Sequence, residues 1–562
     1  MKTGQILGAP GTAGAADTRG PVGVAARRPD TAHDERARIS AREVQDALHD
    51  GGEIALFDVR EAGEYGEGHP FFAVNAPYSR LELDVARLAP RRTARIVVYG
   101  DGEALAARAA ARLAARGYAG VRVLAGGLAA WREAGLPVFA GVNVPSKAFG
   151  ELVEQACATP HLSARELADR QRRGQPLALL DGRTVGEFAR MSIPGGVCCP
   201  NGELAYRWRE LVPDAATPIV INCAGRTRSI IGAQTLIDLG VSNPVYALEN
   251  GTQGWMLADL SLDHGSRRVF PARVPEDSLR LARHDAERLA RRSGVPAVDA
   301  GRLGAWLDDA ARTTFLLDVR TAEEFADASL AGARHAPGGQ LIQATDQYVG
   351  VRGARLVLFD SDGVRAKVVA AWLRQMGWEA WELEGGLQSG LPLRTGHVPE
   401  AAAPGDVPAL PEISPAELAE RLRSDAARVV DLRASADYRV AHVPGATWSI
   451  RPRLARDVAG DARPLVLVAD DAAVAELAAT EVGTRAVRRL AGGFAAWRKE
   501  ARPVESTPDS PPDRERIDFL FFTHGRHEGD KDAARQYLAW ETGLLGRLHP
   551  QDARVFKPGV PF

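Results

Sequence analysis

The sequence predicts an α/β protein made of four tandem copies of one small module, each a mostly parallel sheet with helices on both faces. Two observations predict it. A short apolar run closing on an acid and a base occurs four times, as LFDVR (56–60), LLDGR (179–183), LLDVR (316–320) and VVDLR (429–433), which is a repeat at domain spacing. Each copy then alternates apolar runs with Ala/Leu-rich helical patterns, the signature of βαβ crossovers.

The elements repeat in order. Ahead of the first strand stands a helix with its own start signal: Ser40, Ser163, Asp299 or Ser414, residue types whose side chains cap free helical N–H groups. Seven residues after each strand-ending Asp comes an aromatic (Tyr65, Phe188, Phe325, Tyr438), and eleven after it His69, Ser192, Ser329 or His442. A second β-rich run follows, namely RIVVYG (95–100), PIVINC (218–223), RLVLFD (355–360) and PLVLVA (464–469). Each copy closes on a glycine turn: LAGGLAAW (124–131), ALENGTQGW (247–255), LEGGLQSG (383–390) and LAGGFAAW (490–497).

Composition narrows the function classes. The chain has 562 residues, 45% hydrophobic and 25% charged, which suits several ordinary domains. Lys and Arg number 70 against 72 Asp and Glu, and no block of like charge forms a nucleic-acid arm or membrane stripe. Four cysteines, two of them the adjacent Cys198 and Cys199, make no disulfide framework and fit a reducing compartment. The stretch before Arg38 lacks the apolar core of a signal peptide, and no segment approaches the length of a membrane span. A soluble, cytoplasmic protein without nucleic-acid or membrane partners is expected.

One loop carries chemistry. Where Cys223 follows the strand PIVIN, the other copies have Gly100, Asp360 and Ala469. A thiol at the mouth of a helix faces unpaired backbone N–H groups and the positive end of the helix dipole, which favour its thiolate. Gly225 permits a turn that points successive N–H groups inward as an anion nest. Arg226 and Arg228 add positive charge for a sulfonate or persulfide. In the other copies Asp101, Glu103, Asp360, Asp362, Asp470 and Asp471 place carboxylates where they cap the helix and repel an anion.

Together, the Asp-x-Arg strand ends, the HVPGA (442–446) and SIPGG (192–196) segments, the strand-loop-helix at Cys223 and the glycine-to-Trp turn resemble the rhodanese (thiosulfate sulfurtransferase) family. The resemblance implies four modules over roughly 38–504, with a parallel five-stranded sheet in each. It also implies a persulfide on Cys223, held by the backbone of Ala224, Gly225, Arg226, Thr227, Arg228 and Ser229. Asp181 and Arg183 are expected to form an internal ion pair bracing the loop. The expected reaction moves sulfane sulfur from thiosulfate or a persulfide donor to cyanide or a thiol, with no metal or organic cofactor. The alternatives are a persulfide carrier or scaffold serving a protein acceptor, and, behind that, a phosphatase of the Cdc25 type or an arsenate reductase, whose loops are one residue longer.

The expected organisation is a flexible extension (1–37), modules at 38–140, 147–264, 297–396 and 411–504, a helical linker at 265–296, and a tail at 512–562 docking on a neighbouring domain. Residues 141–158 read as a helix and 397–411 as an extended linker. Only the second module is expected to be catalytic. Ordinary packing is expected for Cys198, Cys199 and Cys157, core or surface packing for Glu203, Tyr206, Arg207 and Trp208, and capping or surface hydrogen bonds rather than a metal for His524, His527 and Glu528.

Overall fold

The computed structural model describes residues 37–396 and 407–559. The expected N-terminal extension therefore lies outside the described residues except at its end, as does most of the linker at 397–411.

Each module forms a five-stranded, all-parallel sheet with one strand order. In the second the order is His161–Leu162, Val245–Leu248, Ile219–Asn222, Ala178–Asp181, Val197–Cys198. The strand ahead of the candidate loop is thus central, and all four of its residues are buried, as strands covered on both faces must be. The register repeats too: Asp58 pairs with Tyr99, Asp181 with Asn222, Asp318 with Phe359 and Asp431 with Val468. The loop position therefore comes one residue beyond the partner of the buried aspartate in every copy.

The repeated motifs have matching physical roles. Each Asp-x-Arg forms a buried ion pair, with N–O distances of 2.5, 2.7, 2.6 and 2.6 Å; breaking such a pair costs about 3–5 kcal/mol. Trp131, Trp255 and Trp497 each donate the indole N–H to the carbonyl six residues on. Ser40, Ser163 and Ser414 cap their helices as expected, and Asp299 does the same in the third module.

The modules are fused rather than strung out. A single apolar core runs through the first three and takes in Leu544 and Phe556 of the tail. The helix Val144–Cys157 lies against Thr227–Asp238, and Glu276–Arg292 against Arg365–Gln375. Buried Arg365 binds both Glu203 of the second module and Glu324 of the third; Arg451 of the fourth grips Glu82 of the first. The tail was expected to dock on one neighbour, but it crosses all four modules. Gly63 N–H donates to Ile517 O at 2.9 Å, Ser435 N–H to Asp518 at 2.7 Å, Thr227 Oγ1 to Glu541 at 2.8 Å, and Lys557 N–H to Gln375 O at 2.7 Å. Among the described residues, no helix is long and apolar enough to cross a membrane.

Candidate active site

Cys223 closes the central strand, and the helix Thr227–Asp238 begins four residues later. The side chain is 2% exposed, accepts a hydrogen bond from Ser229 Oγ at 3.2 Å, and lines a cavity of about 220 Å³. The loop is held from two directions. Asp181, paired with Arg183, also accepts from Asn222 Nδ2 at 2.9 Å, which fixes the residue just before the thiol. Across the loop, Thr252 N–H donates to Cys223 O at 2.8 Å and Gln253 N–H to Ala224 O at 3.1 Å. A Cβ at Gly251, where φ is +51°, would fall 2.2 Å from Cys223 O, so this turn closes on the loop only because the position is glycine.

Among the described residues, no backbone N–H from Gly225 to Ser229 donates to an acceptor in the chain. The third module shows what such a ring of donors takes. There Asp360 stands at the loop position, and its carboxylate accepts from the N–H groups of Asp362, Gly363, Val364 and Ala366 at 3.1, 2.7, 3.1 and 2.8 Å. The shared register maps these onto Gly225, Arg226, Thr227 and Ser229. One cradle is filled by its own carboxylate; the other opens onto a cavity. Asp362 and Asp471 also cap their helices. Asp101 instead binds Arg60, and Glu103 accepts from Gly126 N–H, so neither caps as expected.

The two loop arginines are both engaged. Arg228 is bidentate on Glu187 at 2.8 and 2.7 Å, and Arg226 pairs with Glu151 and Glu154. Burial by itself would raise the Glu187 carboxyl, but Arg228 and the Thr184 hydroxyl outweigh it and hold the group at about 2. Arg365 makes the same bidentate contact with Glu324 in the third module, where there is no thiol. This contact is therefore part of the module's frame, and the formal charge of Arg228 is largely cancelled where it stands.

Other groups complete the cavity wall: Lys147 from the helix Val144–Cys157, Gln253 from the glycine turn, Gln343 from the third module, and Arg526, His527, Tyr537 and Glu541 from the tail. Lys147 Nζ donates to Tyr537 Oη and lies 3.6 Å from Glu541. Burial disfavours the Lys147 ammonium, yet Tyr537 and Glu541 more than compensate and its pKa is raised. Burial, with the charges of Arg526 and Arg183, pushes His527 down to about 3. His527 is thus a neutral wall residue rather than a surface or capping group, and among the described residues no three His, Cys, Asp or Glu side chains gather as metal ligands. Sequence reading missed these wall residues because they lie hundreds of positions from Cys223; the THGRHE segment (523–528) was the one visible hint.

Cys198 and Cys199 are fully buried and outside the cavity wall. Burial pushes the Cys198 thiol up to about 12 and the Cys199 thiol well above its ordinary value, so both stay protonated. Glu203, Arg207 and Tyr206 belong to the contact with the third module, where Glu203 binds Arg207 and Arg365 and Tyr206 lies under the Arg365 guanidinium.

Comparison with known proteins fits this geometry. The family model described as the rhodanese-like domain matches at residues 40–134, 163–258, 299–390 and 414–500. Among solved structures, a thiosulfate sulfurtransferase from Pseudomonas aeruginosa is 42% identical, with 93% of this chain and 99% of that one covered and a TM-score of 0.86. A protein from Anabaena sp. is 30% identical over 18% of this chain and 93% of its own, with a TM-score of 0.18. No curated protein gives a significant match. With four matches to one domain model and a relative of this identity along nearly its whole length, the chain belongs to the rhodanese-like family and to its sulfurtransferase class of enzymes.

Proposed function

We propose that Cys223 carries sulfur between a sulfane donor such as thiosulfate and a thiol or cyanide acceptor, by double displacement. The Cys223 thiolate attacks the outer sulfur of thiosulfate; the S–S bond breaks, and its electron pair leaves with sulfite. The persulfide then gives its outer sulfur to the acceptor and Cys223 returns as thiolate. The open N–H groups of Gly225 to Ser229 stabilise the persulfide anion and the departing sulfite. Asp181 and Arg183 hold the loop, Arg228 positions it through Glu187, and Arg226 is held by the helix that precedes the second module. The other three modules, with Gly100, Asp360 and Ala469 at the loop position, serve as frame.

The observation that carries this reading is the Asp360 carboxylate in the third module, which occupies the cradle that remains open beside Cys223. The burial of Cys223, which is 2% exposed at the base of its cavity, also favours small acceptors over a protein partner. Mass spectrometry tests the proposal: thiosulfate should add one sulfur atom to Cys223, and Cys223→Ser should lose both the adduct and thiocyanate formation. Sulfur on Cys198 or Cys199 with Cys223 unmodified would overturn it.

A further inference from the structure

The Cys223 cavity has a second chemical feature that sulfur transfer from an anion does not use. Glu541 is 1% exposed; its Oε1 accepts from Thr227 and faces Lys147, while its Oε2 has no hydrogen-bond partner. Gln253 is also 1% exposed, and both polar atoms of its amide lack partners. The two converge over the loop. A Cβ placed on Gly225 would lie 3.2 Å from Glu541 Oε2 and 3.5 Å from Gln253 Nε2. Buried acceptors without protein donors are costly, and a carboxylate beside a site for anions costs more, so the arrangement favours a ligand that brings donors and positive charge.

We propose that the sulfur acceptor is an aminothiol, a thiol carrying an ammonium group about two carbons from its sulfur, that Glu541 Oε2 binds that ammonium, and that the unpartnered Gln253 amide flips to turn its oxygen toward it. This deepens the proposed function and rests on it. The ammonium supplies the donors that these atoms lack, through charge-assisted hydrogen bonds. Gly225 is two residues from Cys223, so an ammonium seated above it leaves the acceptor sulfur near the persulfide.

The transfer step balances without an outside oxidant. The acceptor thiol gives its proton to solvent, and its thiolate forms a bond to the outer sulfur of Cys223–S–SH. The bond from that sulfur to Cys223 Sγ breaks with its electron pair left on Sγ, and the acceptor departs as a persulfide.

The test uses the full chain, loaded with thiosulfate and checked by mass before any acceptor is added. Sulfur uptake is then followed with 2-aminoethanethiol, 2-mercaptoethanol and 3-mercaptopropionate, each compared at equal thiolate concentration. The aminothiol should exceed the neutral thiol by roughly tenfold or more in kcat/KM, the scale of one hydrogen bond to a charged group, and the anionic thiol should be poorest. Glu541→Gln should bring the aminothiol and neutral thiol to near parity. Ethylammonium should inhibit transfer to 2-mercaptoethanol competitively in the unmodified protein, a measurement that stands even where the variant does not fold. A loaded enzyme with no preference for the aminothiol, or an undiminished preference in Glu541→Gln, overturns this inference alone. Failure of Cys223 to load overturns the parent reading and this one with it.

Discussion

Asp360 fills with its own carboxylate the ring of backbone N–H groups that its counterpart Cys223 leaves open. The two residues end equivalent strands, so one substitution should convert one kind of site into the other. Cys223→Asp should lose sulfur uptake completely yet be more stable than Cys223→Ala, by about 1–2 kcal/mol, because a carboxylate there satisfies free donors. Urea unfolding of the two variants measures this; equal stability would mean that the second cradle does not close around an anion.

The glycine turn over the loop offers a paired experiment. A Cβ at Gly251 would meet Cys223 O at 2.2 Å, and one at Gly386 would meet Asp360 O at 2.3 Å. Either alanine variant should lower stability by about 1–3 kcal/mol. Only Gly251→Ala should also impair sulfur loading, since only that turn presses on the thiol loop. Loading rates for the two variants, read beside their melting temperatures, separate loop geometry from general damage.

Acid should weaken the frame through Glu187 and Glu324, both held at about 2, well below their ordinary 4.5, against opposing burial, by Arg228 and Arg365. A depressed carboxyl stabilises fully above its unfolded value, and that contribution fades as pH falls from about 4.5 to about 2. Solvent screens these partly exposed carboxylates, so the effect is modest. Glu187→Gln should flatten the pH dependence of stability across this window while leaving it unchanged in slope above pH 6. A denaturation series at fixed salt checks the shape.

His527 should oppose tail docking in mild acid. Burial and the nearby Arg526 and Arg183 charges lower its folded value to about 3 from 6.5, so the released tail binds a proton that the docked tail refuses. Docking therefore weakens as pH falls from about 6.5 toward 3. Protease cleavage within the tail should be faster at pH 5 than at pH 7.5, and His527→Gln should lessen the difference. A variant with the same pH response would place the sensitivity elsewhere.

The sequence determined the repeat, the parallel sheets and the one loop with a thiol, because these rest on local patterns: strand-ending Asp-x-Arg, capped helices, and a glycine turn at fixed spacing. It also placed Gly225 and Ser229 beside Cys223, since a strand-loop-helix junction is contiguous in the chain. Tertiary structure decided what the cavity offers. Arg226 and Arg228 read as free charges in sequence, yet carboxylates brought up by other segments, Glu151, Glu154 and Glu187, engage both. Lys147, Tyr537 and Glu541 meet over the loop only because the tail folds back across all four modules. Local pattern fixes backbone conformation over a few residues, whereas the field and shape of a pocket come from side chains whose meeting is set by packing between distant segments.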